Sequence, residues 1–200
     1  DASYVRETGH PAYRADDALW LFPTVYKYIA ETGNTGFLDE VIPYANQDKG
    51  TVYDHLKRAL DFSMKHLGPH GMPAGLHADW NDCLRLGAGG ESSFVAFQFY
   101  YAFTILREFA ARKEDSGYLA WLERQQAMLR TRLNDLCWDG DRFIRGFTEA
   151  GEVIGYHSAP EANLWLNPQT WAVISGLADE KQAGLAMDNV YRQLNTEYGA

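Results

Sequence analysis

Two aspartates, a histidine, an indole and a thiol crowd into His77 to Cys83, inside the stretch GMPAGLHADWNDCLRLGAGGE that runs from Gly71 to Glu91. Glycine or proline brackets that stretch at both ends, which suits a loop that presents side chains better than a segment of core. The mix fits a carbohydrate ligand. Indole faces stack on the apolar faces of sugar rings, while Asp, Glu, Asn and Gln exchange hydrogen bonds with the hydroxyls. Cleaving a glycosidic bond needs a carboxylic acid that still holds its proton near neutral pH. Asp82, two residues after Trp80 and beside Cys83, is placed to be desolvated by both and to fill that role.

Plainer readings compete at each position. An aspartate in a glycine-bounded loop is often a turn former or a helix cap, and Asp79 fits that description. A lone Trp80 is more often core than sugar platform. His10, His77 and His157 are scattered, without the short paired spacing of a zinc site. Cys83 has no histidine placed to activate it. The GAGG of residues 87–90 follows no strand, so it is a weak phosphate cradle.

Helices must hold this loop in place. Asp16 and Asp17 precede ALWLFPTVYKYIAETG, whose apolar residues recur every three or four positions, predicting a first helix capped by aspartate and ended by Gly33. Pro23, one turn inside, predicts a kink or a later start. Phe37 to Pro43 reads as a short helical turn. Thr51 caps a second helix over residues 52–67, with Leu56, Leu60 and Met64 on its buried stripe.

Ser92 or Ser93 opens a third helix, to about Arg112, so aromatic around its circumference that it belongs inside the fold. A fourth spans Tyr118 to Leu136 with Trp121, Leu122, Met128, Leu129 and Leu133 inward. Phe143 to Phe147 and Val153 to Tyr156 predict a small β-hairpin. Helices five and six cover about Pro168 to Leu177 and Glu180 to Leu194.

Short links between six helices predict antiparallel helix hairpins, an all-α fold with one small hairpin in a loop. Alternation then sends the segment before helix one, the link after helix two and the link after helix four to the same end. Asp16 and Asp17, the Trp80 to Asp82 turn and the Glu161 to Gln169 region should share a rim, where long loops rich in Trp, Asp, Glu and Asn would form a binding site.

Composition narrows the partners. The chain has 200 residues, 46% of them apolar, and a formal charge of −9, with no run of Lys or Arg longer than two. Nucleic acid and anionic membrane surfaces are poor partners for such a chain. No apolar run approaches the roughly 20 residues of a membrane span, and the first residues lack the order of a signal peptide. Two cysteines, Cys83 and Cys137, are too few for a disulfide framework, so reduced thiols in a cytoplasmic protein are expected.

The stretch GMPAGLHADWNDCLRLGAGGES resembles the signature of glycoside hydrolase family 94, the cellobiose-phosphorylase-like enzymes, which include cellobionic acid, chitobiose and β-glucan phosphorylases. Further similarity lies in DDALWL with YIAETG, in LDEVIPY, in WDGDRFIRGF (Trp138 to Phe147) and in LNPQTWAVISG (Leu166 to Gly176). The resemblance runs nearly end to end and implies that residues 1–200 are part of an (α/α)6 toroid, about half of it. It also implies an inverting phosphorylase, in which one acid protonates the glycosidic oxygen while inorganic phosphate attacks the anomeric carbon from the opposite face. Phosphate is then a co-substrate, no cofactor or metal is needed, and a homodimer is the common assembly.

By motif position the resemblance makes Asp82 the general acid and Trp80 the sugar-contacting indole. It gives Glu161 the acceptor sugar, Asp79 the orientation of the loop, and Asp16 and Asp17 a supporting role. The family's upstream Tyr-Arg-Asp-Ser-x-Gln-Asp segment has no match here, and Arg14 in YRADD is only an echo of it. The 200 residues alone are therefore expected to lack a complete phosphate site. Two other readings stay open. An inverting hydrolase would need a second carboxylate, with Glu161 the candidate, roughly 6.5 to 9.5 Å from Asp82. A non-catalytic carbohydrate-binding helical module would need neither.

Overall fold

The computed structural model describes residues 4–5, 10–11, 14–46 and 48–199, with side chains from residue 14 onward. The side chain of His10 lies outside the described residues. The chain opens with β1 (Tyr4–Val5) paired antiparallel to β2 (His10–Pro11). Helix α1 follows at Leu21–Thr32 and ends, as expected, on Gly33 at φ 70°, a left-handed conformation that glycine adopts without strain.

Its start differs from the sequence reading. Trp20 is the first flanking residue and no side chain caps the helix, because the Asp16 carboxylate is occupied with the Trp20 indole. Pro23 therefore sits in the first turn, where a backbone N–H has no helical partner to lose. The expected helical turn over residues 37–43 is also corrected. A 3-10 turn covers Thr35–Asp39, and β3 (Val41–Pro43) then pairs antiparallel with β4 (Lys49–Thr51).

Helix α2 (Val52–Lys65) carries a full capping box. The Thr51 hydroxyl accepts from the Asp54 N–H, and the Asp54 carboxylate accepts from the Thr51 N–H at 3.1 Å. Thr51→Ala is expected to cost about 1 kcal/mol, read as a lower urea midpoint with an unchanged slope.

Strand β5 (Glu91–Ser92) leads directly into α3 (Ser93–Arg112), whose N-cap is Ser92. Helix α3 is the inner helix its aromatics predict. Phe94, Phe97, Phe99, Phe103 and Phe109 are all buried, and α1, α2, α4 and α5 pack around it. Helix α4 (Ser116–Cys137) turns Leu122, Leu129 and Leu133 inward, but Met128 faces out at 59% exposure. Strands β6 (Gly146–Phe147) and β7 (Val153–Ile154) form the expected hairpin and extend it by pairing with β5, in the order β5-β6-β7. Gly146, at φ 152°, lies so close to β5 that a Cβ would sit 2.2 Å from the Glu91 carbonyl oxygen. Helices α5 (Leu166–Ile174) and α6 (Glu180–Gln193) complete the described residues.

Among the described residues, six α-helices and three small sheets thus stand where an all-α fold with one hairpin was expected. The alternation of ends holds. Lys113 pairs with Asp39, joining the α1–α2 and α3–α4 links at one end. At the other, Ala15 N–H donates to the Ala78 carbonyl and β5 pairs with β6, joining the segment before α1, the α2–α3 link and the α4–α5 link.

Candidate active site

The α2–α3 link doubles back on itself. Gly75 N–H donates to the Gly90 carbonyl and Leu76 N–H to that of Ala88, so the two arms run together and the turn between them carries Asp79 to Cys83. Glu91 closes the neck from inside. Its carboxylate, 1% exposed, accepts from the backbone N–H groups of His70 (3.1 Å) and Met72 (3.0 Å) and meets His70 Nδ1. A buried carboxylate is tolerable only with such a full set of donors.

Asp79 fixes the turn. Its Oδ1 accepts from the Asn81 N–H at 2.8 Å, an Asx turn, and its Oδ2 accepts from Ser92 Oγ at 2.8 Å and from Arg145 Nη2. Arg145 comes from the α4–α5 link, and the side chains of the pair are 1% and 3% exposed. Arg145 Nη1 also donates to Ser92 Oγ at 2.6 Å, and that oxygen accepts from the Val95 N–H as the cap of α3. The hydroxyl therefore donates once and accepts twice, its full capacity. Turn former, the plainer reading of Asp79, is what the Asx turn shows.

With Asp79 turned inward, its neighbours turn out. Trp80 is 63% exposed, the Asp82 side chain is 64% exposed, and Cys83 is exposed too. The expected desolvation of Asp82 by Trp80 and Cys83 is therefore absent. The turn explains it. Asn81 Oδ1 accepts from the Cys83 N–H and the Asn81 carbonyl from the Leu84 N–H, and this tight backbone points the side chains on either side of Asn81 to solvent.

Asp82 finds a partner from elsewhere. Its Oδ1 accepts from Arg14 Nε at 2.8 Å, and that bond raises the pKa of the Arg14 guanidinium above its ordinary value. Arg14, His77, Asp82 and Arg85 line a cavity of about 550 Å³. A slightly larger one, about 620 Å³, opens between α1 and α2 beside Asp17, Trp20 and His55. It touches no residue of the Trp80 to Asp82 turn, so chemistry rather than size favours the smaller.

The other expected site residues divide. Asp16 is buried, and its Oδ2 accepts from the Trp20 indole N–H at 2.7 Å. Burial pushes its carboxyl pKa up, against the opposing indole bond, and Oδ1 has no hydrogen-bond partner among the described residues. Asp17 accepts from the Arg14 N–H at 3.3 Å. Both therefore brace the segment that delivers Arg14. Glu161 is exposed on the α4–α5 link, and no described contact joins it to the Asp82 turn. His157 rests against Asp141, and no group of three or more His, Cys, Asp or Glu suited to a metal occurs among the described residues.

Three side chains of the candidate site escaped the sequence reading. Arg145 stands between Ile144 and Gly146, and a charge inside so apolar a segment was a usable signal of a buried partner. Ser92 was read only as a helix start. Arg14 was read as an echo, although it is the cation that meets the candidate acid.

Residues 2–200 match the model of the glycosyl hydrolase 94 superfamily, catalytic domain. The N,N'-diacetylchitobiose phosphorylase of Vibrio furnissii is 42% identical over 190 residues, which is 92% of this chain and 23% of that protein. The solabiose phosphorylase of Paenibacillus borealis is 35% identical over 193 residues, 94% of this chain and 25% of that protein. The chain thus spans about a quarter of the length of these relatives. A family GH78 rhamnosidase of Bacillus sp. GL1 has the same fold over 92% of this chain and 18% of its own, with a TM-score of 0.71 at 14% identity. With its motifs in order and the match running from residue 2 to residue 200, this chain belongs to the glycosyl hydrolase 94 superfamily.

Proposed function

We propose that this chain forms part of the catalytic domain of an inverting glycoside phosphorylase, with its helix hairpins as half of an (α/α)6 toroid. The substrate is a β-linked disaccharide or short oligosaccharide, and the products are a sugar 1-phosphate and the acceptor sugar. The relatives named above, phosphorylases by name, support the reaction class.

One observation carries the assignment of residues. A buried Asp79–Arg145–Ser92 network clamps a turn that presents Trp80 and Asp82 outward, beside a cavity at the end where three links converge. In this reading a sugar stacks on the Trp80 indole and covers Asp82, removing water from the carboxyl. Asp82 gives its proton to the glycosidic oxygen as the bond breaks, and a phosphate oxygen bonds the anomeric carbon from the other face. Phosphate arrives as an anion, so no second carboxylate is required as base, and inorganic phosphate is the sole co-substrate.

The test is phosphate dependence in the full-length protein. Cleavage of a β-linked disaccharide is expected to need added phosphate and to yield a sugar 1-phosphate. Cleavage at the same rate in phosphate-free buffer, with a free reducing sugar as product, would establish hydrolysis instead.

A further inference from the structure

Arg14 meets Asp82 across 68 positions of sequence, and the meeting is built rather than incidental. Arg14 bridges to Leu76 in the antiparallel sense, the next residue donates its N–H to the Ala78 carbonyl at 2.9 Å, and the Arg14 N–H is itself held by Asp17. The segment before α1 is thus zipped to the arm that carries Asp82. The guanidinium uses Nε on Oδ1 of the acid, and Oδ2 has no described partner.

The proposed reaction sets two demands on one carboxyl group. In phosphorolysis Asp82 must hold a proton, which passes to the glycosidic oxygen as the carbon–oxygen bond breaks and phosphate forms the new one. In synthesis the acceptor hydroxyl bonds the anomeric carbon, phosphate leaves, and the hydroxyl proton passes to Asp82, which must begin as carboxylate. The guanidinium bond to Oδ1 orients the carboxyl and leaves the second oxygen for the proton. We propose that Arg14 is the positioning residue of Asp82, aiming Oδ2 at the reacting oxygen and holding the carboxylate that synthesis begins with and phosphorolysis leaves behind.

The surrounding charges are few. His77 and Arg85 line the same cavity from the loop that carries Asp82. Glu149, from the α4–α5 link, packs on Gly87. Asp16 and Asp17 flank Arg14 on its own segment. Among these Arg14 alone touches the acid, so its removal should register.

The inference rests on the assignment of Asp82 as general acid, and the experiment separates the two. In the full-length protein, kcat and KM are measured in both directions for the unmodified enzyme, Arg14→Met, Arg14→Lys and Asp82→Asn. A residue that aims the acid acts on turnover rather than on sugar binding, so in Arg14→Met kcat is expected to fall about tenfold to a hundredfold in both directions, with KM for the sugars little changed. Arg14→Lys keeps a cationic donor without the planar fork and should restore kcat in part. Melting temperatures should stay close to that of the unmodified enzyme, since both side chains are largely exposed. Unchanged kcat in Arg14→Met, or a loss carried by KM alone, would overturn the role of Arg14 while leaving an inactive Asp82→Asn to support the parent assignment. An active Asp82→Asn would overturn both.

Discussion

Asp82→Asn in the full-length protein is expected to lower kcat for phosphorolysis by about a hundredfold to ten-thousandfold, the usual worth of a general acid. The amide keeps the size of the side chain and its acceptor oxygen, so the Arg14 contact survives in part, but it has no proton to give the departing oxygen. The side chain is 64% exposed and its ion pair lies at the surface, so unfolding should change by less than about 1 kcal/mol. A large loss of turnover without loss of stability separates a chemical role from a structural one. Unchanged turnover would show that Asp82 is not the acid, and absence of turnover in the unmodified full-length protein would leave the non-catalytic carbohydrate-binding reading in its place.

Arg145→Met should show the opposite pattern. Asp79 Oδ2 would lose its guanidinium while staying buried, and an ion stranded in the interior typically costs about 3–5 kcal/mol. Chemical unfolding of the variant should show that loss directly. The double variant Asp79→Asn with Arg145→Met should be less destabilised than the sum of the two single changes, because it leaves no charge unpaired. Additive losses would mean that the two side chains do not act as a pair.

The difference between these residues explains what the sequence could disclose. Elements governed by local rules were legible: the Thr51 and Asp54 box that starts α2, the Gly33 that ends α1, and the aromatic girth that puts α3 inside. The ends at which the links gather followed from counting helices, and the contacts of Ala15 with Ala78 and of β5 with β6 agree. Where distant groups competed for a side chain, local rules failed. Asp16 looks like a cap, yet its carboxylate serves the Trp20 indole, and the helix begins at Leu21. The β3–β4 hairpin was missed because Val41, Ile42 and Pro43 are all exposed and show no alternation to read.

In the candidate site, the chemistry-bearing stretch stood out by composition, but its geometry did not. Adjacency in sequence suggested that Trp80 and Cys83 shield Asp82, whereas an Asx turn sends successive side chains apart. The contacts that matter, Asp79 with Arg145 and Asp82 with Arg14, span 66 and 68 positions. No spacing rule reaches that far.

Ser92 joins two jobs that proteins often keep apart. The same oxygen that seals the first turn of the innermost helix also anchors the aspartate beneath the Trp80 to Asp82 turn. Letting that surface turn swing would fray the start of the hydrophobic interior, so the protein has tied local mobility there to global unfolding.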